Sequence, residues 1–174
     1  MCAELLKEWE LWAAELLESH LSYPLLVYFR SQHDNQNWLA CLTMILDTSA
    51  LLTVALPESA NRQPFLTFAI ARHAIVDLAN VFRTPPHPPP ADRLPHAEFL
   101  RLHALLATFD IVLDPDLEQR LAELRRIYEP HVNALATYLL ITLPPWILAT
   151  RHTPNWLTTA WGRTTAPPSV AEPF

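Results

Sequence analysis

The sequence predicts an all-α protein, an irregular bundle of about five helices of which two are kinked at proline. Apolar residues recur at three- and four-residue spacing over long segments. Seventeen prolines and a single glycine punctuate these segments, and no segment alternates apolar and polar residues as an amphipathic strand does. For 174 residues we expect one helical domain, residues 1–150, followed by a loosely ordered tail, residues 151–174.

Proline and capping residues place the first three helices. The first covers residues 3–21, and its apolar stripe is Leu5, Trp9, Trp12 and Leu16. Pro24 then interrupts or kinks the chain, and a short helical piece follows at 25–30. The second long helix begins at an N-cap, Asp34 or Asn35, and continues to about residue 55. The third covers residues 65–82, with Pro64 in its first turn.

The second half contains the connector and the longest helix. Residues 85–95 include six prolines, which predict a stiff, solvated polyproline connector. A fourth helix follows at 96–109. The fifth opens at Asp114-Pro115, is kinked at Pro130 and ends at Pro144-Pro145. Its stripe is Leu117, Leu121, Leu124, Tyr128, Val132, Leu135 and Leu139.

The composition argues against several classes of function. The net charge of −6 and the glutamate-rich N-terminus disfavour nucleic acid as a partner. The scarcity of glycine disfavours phosphate-binding loops and dinucleotide fingerprints. Cys2 and Cys41 show no metal or disulfide spacing, which suits a reducing cytosol. The acidic, helical N-terminus also lacks the pattern of a signal peptide.

The sequence gives little support for catalysis or cofactor binding. Eight histidines are present, but none forms the Glu-x-x-His pair of a di-iron bundle or a zinc-protease motif. His96 and His103 share a helical face without an acidic pair to complete a site. No nucleophile elbow is found. We therefore expect no catalytic residue, no metal and no cofactor.

Asp47 is the only charge in the apolar helix that follows Trp38. A lone carboxylate there is costly unless it is paired. The segment is long enough to span a membrane, but a central aspartate opposes insertion by about 2.5–3.5 kcal/mol. A buried central helix is therefore favoured over an integral membrane span. We expect Asp47 to pair with Arg72 or His73, and His73 to share a face with Asp77. Such a network fixes helix register or, alternatively, acts as a protonation switch through His73.

A polar cluster, residues 30–37, precedes the same helix. It has two interpretations, a cap that closes the corner before the helix and a polar contact surface for another subunit. The candidate contact residues are Arg30, His33, Asp34, Asn35, Gln36 and Trp38.

The segment YPLLVYFRSQHDNQNWLACLTMILDTSALL, residues 23–52, resembles the C-terminal cytoplasmic region of bacterial potassium-channel-family proteins of the two-transmembrane, pore-loop type. The lead-in at 9–24 resembles that family too, as do ARHAIVDL at 71–78, Tyr128-Glu129-Pro130 and the later Leu-Pro-Pro-Trp. The resemblance extends over residues 7–147. It implies a helical cytosolic module attached after a pore, with no catalytic residues to carry over.

The resemblance does not include a pore. A selectivity filter needs backbone carbonyls on a glycine-containing loop, and the one glycine here is Gly162. On this resemblance we expect the chain to be an excised domain, a truncated product or a stand-alone relative. We expect a non-catalytic regulatory or assembly domain of a potassium-channel-like membrane protein. It would bind the channel pore or identical subunits at the inner face of the bacterial plasma membrane. The alternative is a small-molecule-binding or enzymatic bundle whose pocket is formed by Asp47, Arg72, His73 and Asp77.

Overall fold

The computed structural model describes residues 2–29, 37–108 and 114–147. Within these ranges the chain forms six α-helices and one 3-10 helix, with no β-strand. The predicted all-α fold class is therefore confirmed. The predicted tail, residues 151–174, lies outside the described residues. The helices are Cys2–Ser22 (α1), the 3-10 helix Pro24–Tyr28, Trp38–Ala55 (α2), Arg62–Val81 (α3), His96–Ala107 (α4), Leu117–Arg126 (α5) and Glu129–Leu139 (α6).

Helix α2 is the central element of the core. Its N-cap is Asn37, whose side-chain oxygen accepts a 2.7 Å bond from the amide of Ala40. The predicted cap at Asp34 or Asn35, two residues outside the described ranges, is therefore wrong, because the helix begins after Asn37. By length and composition α2 is the one described helix that could cross a membrane, yet 72% of that window is buried inside the fold. Burial against protein accounts for its apolar surface.

Helices α1 and α3 pack along each other beside α2. Thr67 on α3 donates a 3.0 Å bond to the carbonyl of Leu6 on α1. Leu6 is buried, whereas Leu5 is 44% exposed, so the apolar stripe of α1 is rotated from the predicted one at its start. Farther along, Leu16 is buried as expected.

The predicted fifth helix is divided into α5 and α6. Ile127 and Tyr128 form a turn between them, and Pro130 lies in the first turn of α6. Proline is well tolerated there because the first helical amides have no intrahelical partner. The chain thus breaks into two helices at Tyr128, two residues before the kink predicted at Pro130. Tyr128 stays fully buried within the predicted apolar stripe.

The proline-rich connector lies across α6 instead of standing free in solvent. The amide of His87 donates to the carbonyl of Pro130 at 3.3 Å, and the side-chain amide of Asn133 donates to the carbonyl of Pro88 at 3.2 Å. Most of the connector is exposed, but Leu94 near its end is buried. The expectation of a solvated connector is met by most of its residues, but backbone carbonyls and a leucine fix the connector to the bundle.

Candidate functional site

Asp47 is buried, as predicted, at the centre of a charged network. Its two carboxylate oxygens accept hydrogen bonds from the two terminal nitrogens of Arg93. The hydroxyl of Tyr128 donates a further bond of 2.6 Å to Asp47 Oδ1. The side chains of Asp47 and Arg93 are 9% and 11% exposed. The lone charge of α2 is therefore neutralised by a residue from the connector.

Arg93 connects three segments of the chain. Besides Asp47, its Nη1 lies 3.4 Å from Oε1 of Glu129, at the start of α6. Its Nη2 donates a 3.0 Å bond to the carbonyl of Pro144, in the segment after α6. A planar guanidinium can serve several acceptors in one fixed geometry. The connector is thus attached to α2 and to both ends of the α6 region through one side chain.

Arg125 extends the network on the other side of Glu129. Its Nε donates to Glu129 Oε1 at 3.0 Å and its Nη2 to Oε2 at 3.2 Å, a bidentate pair across one helical turn. Nη2 also bonds to Asp92 of the connector. The guanidinium lies 5.6 Å from the ring centroid of Trp146, a cation–π distance. Asp92 and Arg93 of the connector therefore each form an ion pair with a residue of opposite charge in the bundle.

The local fold explains how these side chains converge. Because α5 ends at Arg126 and α6 begins at Glu129, Arg125, Tyr128 and Glu129 lie on the inner side of the break, and all three are buried. A glutamate in the first turn of a helix is also favoured by the helix dipole. The Glu129 carboxylate thus accepts a bond from Arg93 of the connector, and the Arg125 guanidinium donates one to Asp92 of the connector.

Burial sets the protonation energetics of the two inner carboxylates. Burial raises the pKa of Asp47, and the charge and hydrogen bonds of Arg93 together with the Tyr128 hydroxyl only partly offset it. Burial likewise raises the pKa of Glu129 against the opposing effect of Arg125. Ionisation of either group therefore costs free energy in the fold.

The pKa values of Asp92, Arg93 and Tyr128 are shifted by a different balance of burial and neighbouring charge. For Asp92 burial opposes ionisation, but the bonds from Arg125 and the Leu94 amide outweigh it and lower its pKa. For Arg93 burial alone would lower the pKa, but the Asp47 carboxylate outweighs it and holds the pKa above its usual value. Burial and the neighbouring Asp47 carboxylate raise the pKa of Tyr128 well above its ordinary value, so Tyr128 acts as a donor.

The predicted partners of Asp47 are not in this network. Arg72 and His73 are both exposed, on the solvent face of α3. His73 Nε2 lies 3.3 Å from Asp77 Oδ2, which agrees with the predicted i,i+4 pair. Asp47 faces the α5–α6 turn and the connector, away from that pair. The expected four-residue pocket of Asp47, Arg72, His73 and Asp77 is therefore wrong.

Trp38 is the one member of the predicted contact surface that the described residues include. Arg30, His33, Asp34, Asn35 and Gln36 lie outside the described residues. Trp38 is half-buried, and its indole Nε1 donates a 3.3 Å bond to the carbonyl of Val27. Its ring centroid lies 5.1 Å from that of the buried His20. Trp38 therefore joins α1, the 3-10 helix and α2.

Two surface concavities can be described, and neither contains a network residue. One, of about 360 Å³, lies between α4 and the start of α5, and Phe99, His103 and Glu118 contribute to its wall. The other, of about 460 Å³, is formed by Ser22 to Leu26. Among the described residues no group of three histidine, cysteine, aspartate or glutamate side chains is placed to hold a metal ion.

Part of the network has a signal in the sequence beyond apolar periodicity. Arg125 and Glu129 are an i,i+4 pair of opposite charge, and Arg125 follows Leu121 by four residues within the apolar stripe. A charged pair on the apolar side of a helix indicates a buried ion pair. Arg93 has no comparable signal, because it lies in a non-helical connector where no periodicity applies.

Comparisons of the chain with protein-family models, with curated proteins and with solved structures found no match.

Proposed function

We propose that this chain is a non-catalytic regulatory or assembly module of a potassium-channel-like membrane protein. It would act at the inner face of the bacterial plasma membrane on a pore or on identical subunits. The family resemblance of residues 7–147 is the basis for the channel context. The observation that carries the module's role is the network of Arg93, Asp47 and Glu129, in which two buried carboxylates share one arginine.

A network in which every inner carboxylate oxygen accepts a hydrogen bond suits a rigid body better than an active site. Both oxygens of Asp47 and both oxygens of Glu129 accept bonds from arginine. A catalytic acid or base needs a free position within hydrogen-bond reach of a substrate. The network also joins α2, the connector and the α5–α6 turn, so a force on one element is transmitted to the others.

The role can be tested by fusing the full chain behind a minimal two-transmembrane potassium pore that lacks a cytoplasmic domain of its own. Potassium flux into liposomes and the thermal stability of the assembled pore are compared with and without the module. We expect the module to change flux, assembly stability or both. A fusion carrying Arg93→Met should lose part of that effect, whereas Arg101→Met, at an exposed ion pair, should retain it. Equal flux and equal assembly stability with and without the module would refute the proposal.

A further inference from the structure

The turn after α1 exposes an unusual amount of apolar surface. Residues 21–29 read LSYPLLVYF, without a single charge. Tyr23 is 69% exposed, and Leu25 and Phe29 are each 73% exposed. The other exposed large side chains of the segment are Leu21, Leu26 and Tyr28. We call these six residues the turn patch.

The area of the turn patch approaches that of one side of a protein–protein interface. An aromatic side chain offers about 150–250 Å²; with the lower value for leucine, the exposed fractions of the six residues correspond to roughly 600 Å². The largest apolar patch of a typical monomer is about 300–600 Å². Each partner of a standard stable interface contributes about 800 Å². The exposed area of the turn patch is therefore at the upper end of the range for monomers and roughly three-quarters of one side of a stable interface.

The turn patch is held in a fixed shape. Val27, at the centre of the segment, is buried and anchors the 3-10 helix to the core. The Tyr28 hydroxyl is 2.6 Å from that of Tyr138, and its ring lies 6.4 Å from Phe82 in an edge-to-face arrangement. A patch that is ordered before binding loses little conformational entropy when a partner covers it. Aromatic residues with few charges are also the composition of interface centres.

Opposite charges flank the turn patch. Glu18 is exposed in the last turn of α1, three residues before Leu21. Arg83 is exposed directly after Phe82, whose ring lies 6.4 Å from that of Tyr28. A two-fold axis that passes between these two charges would place Glu18 of one copy opposite Arg83 of the other. Such self-complementarity is the requirement for an isologous dimer.

We propose that the turn patch binds the same patch of a second copy of this chain, which specifies the partner within the assembly role proposed above. The patch itself carries no cation, and the chain has a net charge of −6. An anionic membrane surface, which attracts basic segments, is therefore the less suitable partner.

The experiment is light scattering of the full 174-residue chain across a concentration series. We expect a mass twice the 19.9 kDa of the chain at high concentration. Leu25→Glu should weaken dimerisation at least about 30-fold, as expected for an interface hot spot. Leu11→Glu is the matched control, because Leu11 is 61% exposed on α1 outside the patch. It should leave the dimer unchanged.

A charge exchange tests the two-fold geometry. Glu18→Arg and Arg83→Glu should each weaken the dimer, and the double variant should restore it, since each charge would again face its opposite. A chain that stays monomeric, a dimer that Leu25→Glu leaves intact, or a double variant that is not restored would overturn the proposal. So would a monomer that sediments with anionic vesicles in a Leu25-dependent manner.

Failure of this proposal is distinguishable from failure of the proposed function. If the turn patch does not mediate self-association, Leu25→Glu will leave light scattering unchanged while the pore fusion still alters flux. If the module has no channel role, the dimer will form and the fusion will be without effect.

Discussion

Replacing Arg93 with methionine is the most direct test of the buried network. Asp47 and Glu129 are each 9% exposed at the side chain, so neither can recover its lost partner from water. Removing one member of a buried ion pair costs about 3–5 kcal/mol. Tyr128 and Arg125 still bind the two carboxylates, which places the expected loss near the lower limit, about 3 kcal/mol. That is a large share of the 5–15 kcal/mol typical of a domain.

The assay is urea unfolding at pH 8, followed by far-ultraviolet circular dichroism. At pH 8 the Asp47 carboxylate is protonated least, so its protonation offsets the loss of stability caused by removing Arg93 as little as possible. Arg101→Met is the matched control, since Arg101 and Glu98 form an exposed pair of a class that contributes at most about 1 kcal/mol. In a double-mutant cycle with Asp47→Asn, we expect a coupling of about 2 kcal/mol. If Arg93→Met were no more destabilising than Arg101→Met, the connector would not be anchored as described.

Three further predictions use the same unfolding assay. Tyr128→Phe should cost about 1.5–3 kcal/mol, because it removes a hydrogen bond to a buried carboxylate. Asn37→Ala should cost about 1 kcal/mol through loss of the α2 cap, and Asn37→Asp should retain most of that stability. Burial lowers the pKa of His20, so between that lowered value and about 6.5 the unfolded chain binds more protons than the folded one. His20 therefore contributes a loss of stability as the pH drops below about 6.5, which Asp47 and Glu129 oppose at lower pH because their pKa values are raised. His20→Phe should remove the His20 contribution, and an unchanged pH dependence of stability would contradict the burial argument.

The fold class and the burial of Asp47 could be predicted because both depend on local information. Three- and four-residue spacing identifies helices. A single charge in an apolar helix must be compensated wherever the helix lies. The break at Tyr128 was predicted as a kink at Pro130, because proline alone does not say whether the chain bends or restarts.

The partner of Asp47 could not be predicted in the same way. Helical periodicity tells which residues share a face, but it does not tell which neighbouring segment that face meets. Arg72 lies on the adjacent helix and is long enough to reach, yet α3 turns it to solvent. Arg93 lies 46 residues beyond Asp47, in a connector that composition alone describes as solvated. Its position depends on the docking of that connector, which is a tertiary property.

The network is better understood as a device for specificity than as a source of stability. Buried ion pairs often stabilise no more than well-packed apolar residues of the same size. Helix α2, however, is apolar on nearly every side, so apolar burial alone scarcely distinguishes one rotation about its axis from another. Only one rotation brings Asp47 to Arg93 and Tyr128, and every other leaves a carboxylate without partners. The same contacts fix the connector at Asp92 and Arg93, so one aspartate sets the orientation of the core helix and the course of the proline-rich segment together.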